Sequence, residues 1–260
     1  MLLRLENRVA VVTGAARGNG EGISRALARN GATVVLWDIL DLVEDVAKDI
    51  NASGHTAVSF KVDISNASLV NQAALEVIKL FGKVDILVNN AGIGVFIPFL
   101  ETSDEMRDRI IGINLKGPWN CTKAILPTML EHKYGKIINI SSVSGPRVAA
   151  AGLTAYAASK GGVCGFTRAL ALEVAEYNIT VNAILPGYVD TPMLRGVAAD
   201  LGMNDEEFVN KLAETVPLKR LGSIDEIGDL AVFLASDESK YITGQEIVFD
   251  GGNIIQEEKG

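Results

Sequence analysis

Seven short runs of apolar and β-branched residues recur along the chain, and segments with helical spacing separate them. Helices bury both faces of a parallel sheet, so its strands appear in a sequence as such near-continuous apolar runs. Strands that alternate with helices are typical of βαβ units. The sequence therefore predicts an α/β protein with a seven-stranded parallel sheet and helices on both faces. The seven runs are Arg8–Thr13, Thr33–Asp38, Ala57–Asp63, Val84–Gly92, Lys136–Ser142, Thr180–Gly187 and Gln245–Asp250.

Residues 188–218 interrupt this alternation with a longer segment of mixed helical character. An insertion at the carboxyl end of a sheet is well placed to act as a lid or as a wall of a substrate pocket. The alternative is a surface excursion without a role. Linkers, internal repeats and low-complexity tracts are absent from the sequence. We therefore predict a single domain, residues 1–260, with a substrate-lid insertion at about 188–218.

The first predicted strand ends in a glycine-rich loop, Thr13-Gly14-Ala15-Ala16-Arg17-Gly18-Asn19-Gly20, and a helical pattern follows it. Glycines allow the chain to turn sharply and allow a pyrophosphate to approach bare amides at a helix N-terminus. The spacing is Gly-x-x-x-Gly-x-Gly rather than the usual Gly-x-Gly-x-x-Gly. An ordinary strand-to-helix turn rarely needs three glycines, so the loop favours nucleotide binding.

The second predicted strand ends in Asp38, eighteen residues after Gly20. A carboxylate here can accept hydrogen bonds from both hydroxyls of an adenine ribose, and it would repel a 2′-phosphate, which favours NAD. A solvated strand-end carboxylate is the alternative. Arg17 opposes the preference, because a cation in the loop could pair with a 2′-phosphate, and NADP is therefore the alternative cofactor. Ile39 replaces the Arg or Lys expected in an NADP enzyme.

Residues 154–176 have a helical pattern in which Tyr156 and Lys160 lie one turn apart on the same face. A tyrosine hydroxyl, with a pKa near ~10, is a poor acid or base at neutral pH. A neighbouring ammonium stabilises the phenolate and lowers that pKa, which would suit Tyr156 to proton transfer near pH 7. A solvated helix pair is the alternative. A stripe of small residues on the opposite side indicates close packing against another backbone: Ala158, Gly162, Gly165 and Ala169.

The net charge of −8 and the isoelectric point near 4.9 limit the partners of the chain. Binding the many phosphates of a nucleic acid needs a basic face, so the charge argues against nucleic acid as a partner. Uncharged apolar runs stay below membrane-spanning length, and charge interrupts the first residues too early for a signal peptide. Cys121 and Cys164 are predicted to be reduced core residues, and His55 and His132 are isolated, so no metal site is expected. We expect a soluble, cytoplasmic protein.

In combination, these motifs resemble the short-chain dehydrogenase/reductases, which share a Thr-Gly-x-x-x-Gly-x-Gly loop and a Tyr-x-x-x-Lys active site. The resemblance implies a doubly wound, Rossmann-like sheet with a nicotinamide cofactor bound across the carboxyl ends of the strands. It also implies a homotetramer. The matching landmarks are Thr13–Gly20, Asp38, Asp63-Ile64, Asn89-Asn90-Ala91-Gly92, Asn114, Ser142, Tyr156, Lys160, Pro186-Gly187 and Asp250-Gly251-Gly252.

The resemblance also implies a role for individual residues. Tyr156 is the general acid/base, and Lys160 adjusts its pKa and binds the nicotinamide ribose. Ser142 holds the substrate oxygen, and Asn114 anchors a water that relays protons to Lys160. The positions implied to contact the cofactor, besides Tyr156 and Lys160, are Gly14, Arg17, Gly18, Asn19, Gly20, Asp38 and Ile39, then Asp63 and Ile64 at the adenine, Asn90, Ala91 and Gly92 along the ribose side, Pro186 and Gly187, and Val189 and Thr191 at the nicotinamide carboxamide.

Two positions depart from the family pattern. Asn19 stands where an aliphatic residue is usual, either to donate to a phosphate or ribose or to stabilise the loop. The gap between Ser142 and Tyr156 is one residue longer than usual, which makes Ser141 a rival for the serine role. The Ser-Val-Ser-Gly turn after the strand favours Ser142.

The residues and the resemblance together predict an NAD(P)-dependent oxidoreductase that interconverts a secondary or small polar alcohol and its carbonyl compound, with NAD preferred. Arg147 and Arg195 leave open a small anionic aldehyde, sulfonated or carboxylated, as the substrate. A non-catalytic dinucleotide-sensing protein on the same fold is the alternative class. Such a protein would not need the proton-transfer residues Asn114, Ser142, Tyr156 and Lys160.

Overall fold

The computed structural model describes residues 4–200 and 202–257, apart from the side chains of residues 199 and 200. The first three residues, which entered the signal-peptide prediction, and residue 201 of the predicted insertion lie outside the described part. All neighbouring strands are parallel, in the order β3-β2-β1-β4-β5-β6-β7, which confirms the predicted doubly wound fold. The strands are β1 Val9–Thr13, β2 Thr33–Asp38, β3 Ala57–Lys61, β4 Ile86–Asn89, β5 Gly135–Ile140, β6 Ile179–Pro186 and β7 Glu246–Phe249.

Helices follow the strands and cover both faces of the sheet. Val12 contributes to the core layer beneath the first and last of these helices, and its neighbour Val11 contributes to the layer on the opposite face. Both residues are fully buried. Their alternation explains why the strands appear in the sequence as continuous apolar runs. The helices are α1 Gly18–Arg29, α2 Leu42–Ala52, α3 Ala67–Phe81, α4 Asp104–Ile111, α5 Gly117–His132, α6 Thr154–Val174, α7 Pro192–Asp200, α8 Asp205–Thr215 and α9 Ile224–Ala235.

The predicted runs extend past the strands at their carboxyl ends. The run to Asp63 stops pairing at Lys61, and the run to Gly92 stops at Asn89. The predicted helix 154–176 ends at Val174 and continues as a 3₁₀ turn. The residues beyond β3 and β4 leave the ladder because they form loops at the carboxyl edge, where doubly wound proteins bind ligands.

The predicted insertion is a pair of helices, α7 and α8, at the carboxyl end of β6. Arg195 on α7 joins it to the neighbouring segments, since its guanidinium makes two 2.8 Å bonds to the Asp190 carboxylate. It also lies 4.0 Å from Asp205, the first residue of α8. The insertion thus begins at the carboxyl edge of the sheet, the edge that carries the predicted site residues.

Candidate active site

The glycine loop places a helix N-terminus at the carboxyl end of β1. Helix α1 begins at Gly18, and the side chain of Arg17 at the N-cap does not cap it, which leaves first-turn N–H groups without that acceptor. Gly14 has a φ of +65°, and a Cβ on Gly20 would lie 2.0 Å from the Gly14 carbonyl oxygen. Only glycine fits these positions. An uncapped terminus of this kind suits a pyrophosphate, so the residues fit a dinucleotide.

Asn90 and Thr13 hold this loop against the end of β4. Asn90 Nδ2 donates to the carbonyl oxygens of Thr13 and Gly14, both at 3.0 Å. Thr13 Oγ1 accepts from the amides of Asn90 and Ala91 at 3.0 and 3.1 Å. The chain segments that follow β1 and β4 are therefore fastened together at the point where the strand order reverses. The sequence identified Thr13 only as part of a motif, and its bracing role is visible only in the fold.

Asp38 lies at the end of β2 and also supports the loop. Its Oδ2 accepts from the Ala16 amide at 2.9 Å, and its Oδ1 accepts from the Leu40 amide at 3.0 Å. Each carboxylate oxygen keeps a further lone pair for a ribose hydroxyl. Ile39 is 55% exposed, and Arg17 is also exposed. The structure thus places Asp38, at the end of β2, in contact with the loop that carries Arg17, the residue with the opposite cofactor preference.

The two residues predicted to contact adenine lie side by side but differ in exposure. Ile64 is buried against the start of α5, where a Cβ on Gly117 would lie 2.4 Å from Ile64 Cδ1. Asp63 is exposed, and its Oδ1 accepts from the Ser65 amide at 2.9 Å and from the Ser65 hydroxyl at 2.7 Å. The Asp63 carboxylate is therefore oriented by a local turn and remains open to a ligand.

Lys160 is buried where α6 crosses the end of β5. Its Nζ donates to the Ile140 carbonyl oxygen at 2.8 Å and lies 5.7 Å from the centre of the Tyr156 ring. Burial lowers the pKa of Lys160 to about 8. A Cβ on Gly92 would lie 3.4 Å from Lys160 Nζ and 3.3 Å from Asn114 Oδ1. The Gly92 backbone therefore runs directly past both side chains, and a larger residue would have to displace them slightly.

The pKa of Tyr156 differs from the sequence-based expectation. Burial raises it, and hydrogen bonding with Ser142 opposes that rise. The predicted lowering by Lys160 is therefore wrong for the protein by itself, because the Lys160 ammonium bonds a carbonyl oxygen instead of the phenol and is itself poorly hydrated. The loop after β4 covers the tyrosine, since a Cβ on Gly94 would lie 3.4 Å from the ring.

The two candidate serines occupy different environments. Ser141 Oγ donates to the Lys160 carbonyl oxygen at 2.9 Å and accepts from Cys164 Sγ at 3.4 Å, so it is used within the protein. Ser142 Oγ accepts from the Ser144 amide at 3.1 Å and faces Tyr156. This geometry favours Ser142 over Ser141 for contact with a substrate oxygen.

Asn114 lies in a π-helical turn, Gly112–Lys116, between α4 and α5. Such turns often occur at functional sites. Asn114 Oδ1 accepts from the Ile93 amide at 2.9 Å, while its Nδ2 donates to the Ile93 carbonyl at 2.9 Å and to Ser159 Oγ at 3.1 Å. Ser159 Oγ in turn donates to the Tyr156 carbonyl. Ser159, which sequence reasoning missed, thus links Asn114 to the turn that carries Tyr156.

The segment after β6 closes the other side of the cleft. Pro186 is the last residue of β6 and is buried. A Cβ on Gly187 would lie 2.7 Å from Asp250 Cβ, which explains the glycine. Val189 is buried. Thr191 Oγ1 accepts from the Leu194 amide at 3.3 Å, and a Cβ on Gly18 would lie 3.5 Å from Thr191 Cβ. The start of α7 therefore touches the glycine loop.

The two arginines considered for an anionic substrate are both paired with carboxylates. Arg147 Nη2 lies 3.1 Å from Glu246 on β7, a carboxylate that also pairs with Arg168. Arg195 makes the bidentate pair with Asp190. Both guanidinium charges are therefore already compensated by a carboxylate of the same chain.

The remaining sequence predictions concern metals, thiols and membranes. Cys121 and Cys164 are free, buried thiols, as predicted. Within residues 4–200 and 202–257, His, Cys, Asp and Glu side chains form no group able to hold a metal ion. In the same part of the chain, the helices are too short or too polar to cross a membrane.

A doubly wound sheet with a glycine-rich loop and a Tyr–Lys pair at its carboxyl edge is typical of dinucleotide-dependent oxidoreductases. The family model described as enoyl-(acyl carrier protein) reductase matches residues 14–253. Oxidoreductase UcpA of Salmonella typhimurium is 46% identical over 98% of this chain and 97% of its own. The chain belongs to the short-chain dehydrogenase/reductase family, whose members bind NAD or NADP.

Two further relatives show the range of substrates in the family. The 3-oxoacyl-[acyl-carrier-protein] reductase FabG of Thermotoga maritima is 37% identical over 97% of this chain and all of its own. A candidate NAD(P)-dependent gluconate 5-dehydrogenase from Beutenbergia cavernae was crystallised with NADP at low occupancy. It is 35% identical, with a TM-score of 0.91 over 98% of this chain and all of its own.

Proposed function

We propose that the protein is an NAD-preferring dehydrogenase that interconverts a secondary or small polar alcohol and its carbonyl compound. The observation that carries this proposal is the position of Tyr156. Ser142 lies beside its hydroxyl and opposes the rise of its pKa, and the Lys160 ammonium lies 5.7 Å from its ring at the carboxyl edge of the sheet. A dinucleotide-sensing protein would not require this proton-transfer group.

In the proposed reaction, Tyr156 takes the hydroxyl proton of an alcohol during oxidation and protonates the developing alkoxide during reduction. Ser142 Oγ donates a hydrogen bond to the same substrate oxygen. A bound nicotinamide dinucleotide supplies the hydride acceptor or donor. Because burial raises the pKa of Tyr156, oxidation, which needs the phenolate, is expected to speed up as the pH rises. Reduction, which needs the phenol, is expected to proceed at neutral pH.

We infer a neutral, polar substrate such as a polyol or sugar. The Beutenbergia cavernae relative, named for gluconate, supports a polyhydroxylated substrate; gluconate itself is an anion, so the neutral charge that we infer rests on the arginine pairs alone. The ion pairs of Arg147 and Arg195 argue against a small anionic aldehyde. The Thermotoga maritima relative, named for a 3-oxoacyl chain, supplies the rival substrate class, a thioester with a ketone at its third carbon.

A turnover assay with a substrate panel tests this proposal. The panel contains neutral polyols, aldohexoses, gluconate, a hydroxysulfonate and an acetoacetyl thioester, each with NAD(H) and NADP(H). We expect neutral polyols or sugars to give the highest kcat/KM. Turnover of the thioester alone would overturn the substrate assignment. Binding of NAD without turnover of any panel member, in either direction, would favour the sensing protein.

We also propose a homotetramer in the cytoplasm. Leu172 on α6 is 84% exposed, and Trp119 on α5 is 57% exposed and stacks on Phe166 with ring centres 5.5 Å apart. A Cβ on Gly165 would meet no described atom within 4 Å, so that part of the predicted stripe is open to a second subunit. Gly162 instead packs on Leu115 of the same chain. Free thiols at the two cysteines suit a reducing compartment.

A further inference from the structure

The carboxamide of Asn19 lies within the glycine loop, and no described residue is hydrogen bonded to it. Its Oδ1 is buried and accepts no hydrogen bond from the described residues. An unpaired buried acceptor loses its hydration without gaining a partner, and native proteins rarely leave one without a function. The other unpaired buried side-chain atoms of the described residues belong to Trp37, Asn89 and Thr180, which lie within strands of the sheet. Asn19 alone among these four residues lies at the candidate site.

Stabilisation of the loop does not explain this asparagine. The loop is held by Asn90, Thr13 and Asp38, through hydrogen bonds of 2.9 to 3.1 Å. Within the described residues, the Asn19 side chain adds none to them. The family pattern has an aliphatic residue at this position, so the fold of the loop does not need a polar one.

The chemistry of the free atom restricts its partner. A carboxamide oxygen is an acceptor only, so Oδ1 does not pair with a phosphate, whose oxygens are also acceptors. The neighbouring residues then locate Asn19 along the cofactor cleft. A Cβ on Gly18 would lie 3.5 Å from Thr191 Cβ, and a Cβ on Gly20 would lie against the Gly14 carbonyl oxygen. Asn19 directly follows Gly18, the residue that packs on the segment after β6, where the family resemblance places the nicotinamide carboxamide.

We propose that Asn19 Oδ1 accepts a hydrogen bond from the carboxamide NH₂ of the nicotinamide. Asn19 is then a cofactor-binding residue that favours a ring with a carboxamide over one without an N–H donor. The proposal rests on the proposed function, since it requires a nicotinamide dinucleotide in this cleft. It replaces both earlier explanations of Asn19, as a donor to phosphate or ribose and as a loop stabiliser.

Calorimetric dissociation constants for three ligands test the proposal without turnover. The ligands are NAD, its 3-acetylpyridine analogue, in which a methyl group replaces the carboxamide NH₂, and ADP-ribose, which lacks the ring. We expect Asn19→Leu, which is similar in volume, to reduce the preference for NAD over the analogue fivefold or more. Its affinity for ADP-ribose should stay within twofold of wild type, which also shows that the loop is folded.

Two further variants control the experiment. Asn19→Asp keeps an acceptor oxygen and should keep the preference for NAD over the analogue, even if its charge lowers the affinity for both ligands. Asp38→Asn acts at the adenine end and should lower the affinity for NAD and for the analogue by the same factor. An unchanged NAD-to-analogue ratio in Asn19→Leu, or an equal loss for ADP-ribose, would overturn the proposal. Wild-type protein that binds neither NAD nor NADP would instead overturn the proposed function.

Discussion

Lys160 Nζ donates a 2.8 Å hydrogen bond to the carbonyl oxygen of Ile140, the last residue of β5. Ser141, the next residue, returns a hydrogen bond of 2.9 Å from its hydroxyl to the Lys160 carbonyl. These two bonds join the first turns of α6 to the sheet at the position of the proposed acid/base pair. Because Lys160 is buried and its pKa is lowered to about 8, its charge is held at a cost to stability.

Lys160→Met is expected to stabilise the protein at pH 7 while abolishing activity. A folded-state pKa of about 8 against an ordinary value of 10.5 corresponds to about 3 kcal/mol of destabilisation. The lost bond to Ile140 offsets about 1 kcal/mol of the gain. Between the two pKa values the folded protein has released the proton and the unfolded chain has not, so wild-type stability rises with pH.

The measurement for this variant is the free energy of unfolding in denaturant at several pH values. The advantage of Lys160→Met should be largest below pH 8 and should shrink towards pH 10.5. Lys133→Met, at an exposed position, is the control and should show no such trend. A Lys160→Met protein less stable than wild type at pH 7 would contradict the prediction.

Tyr156→Phe is expected to reduce kcat by about a thousandfold or more, because phenylalanine cannot exchange the substrate proton. The NADH dissociation constant, measured by fluorescence, should change less than threefold. Tyr177→Phe, at a partly exposed tyrosine beyond the end of α6, is the matched control and should retain activity. Retention of a tenth of wild-type kcat by Tyr156→Phe would show that another group transfers the proton.

Alanine substitutions of Ser142 and Ser141 should differ in whether they mainly lower kcat or the free energy of unfolding. Ser142→Ala removes the proposed donor to the substrate oxygen and should lower kcat about a hundredfold. Ser141→Ala removes the bond to the Lys160 carbonyl, so it should lower the free energy of unfolding by about 1–2 kcal/mol and kcat much less. Steady-state rates and denaturant unfolding of both variants provide the comparison. The reverse pattern would assign the catalytic role to Ser141.

Wild-type protein is expected to favour NAD over NADP by about tenfold or more in kcat/KM, through hydrogen bonds to Asp38 and repulsion of a 2′-phosphate. Asp38→Ala should narrow or reverse that preference. Arg17→Ala should widen it, because the only loop cation suited to pair with the 2′-phosphate is removed. Kinetic constants with both cofactors check all three proteins. Equal efficiency with NAD and NADP in the wild type would show that Asp38 does not select the cofactor.

Leu172→Glu should dissociate the proposed tetramer, since it introduces charge on the exposed face of α6. Light scattering at micromolar concentration measures the mass. Leu75→Glu, on the exposed side of α3, is a control that should leave the mass unchanged. A wild-type monomer at that concentration would refute the assembly.

The seven parallel strands and the glycine-rich loop were predictable from the sequence, because each depends on residues close together in the chain. Continuous apolar runs indicate strands that are buried on both faces of the sheet. Tyr156 and Lys160 share a helix face because of the 3.6-residue helical period alone. The helical nature of residues 154–174 followed in the same way. The strand ends were predicted less well, because strand pairing stops where the chain leaves the sheet to form the loops of the candidate site.

Only the tertiary structure decided how the side chains at the site are partnered. The sequence placed Lys160 beside Tyr156, but the fold directs its ammonium to Ile140, and burial raises the pKa of Tyr156 where a lowering was expected. It also decided that Arg147 pairs with Glu246, almost a hundred residues away. Hydrogen-bond partners and desolvation depend on packing between distant segments, whereas helical and strand periods depend on neighbours in the chain.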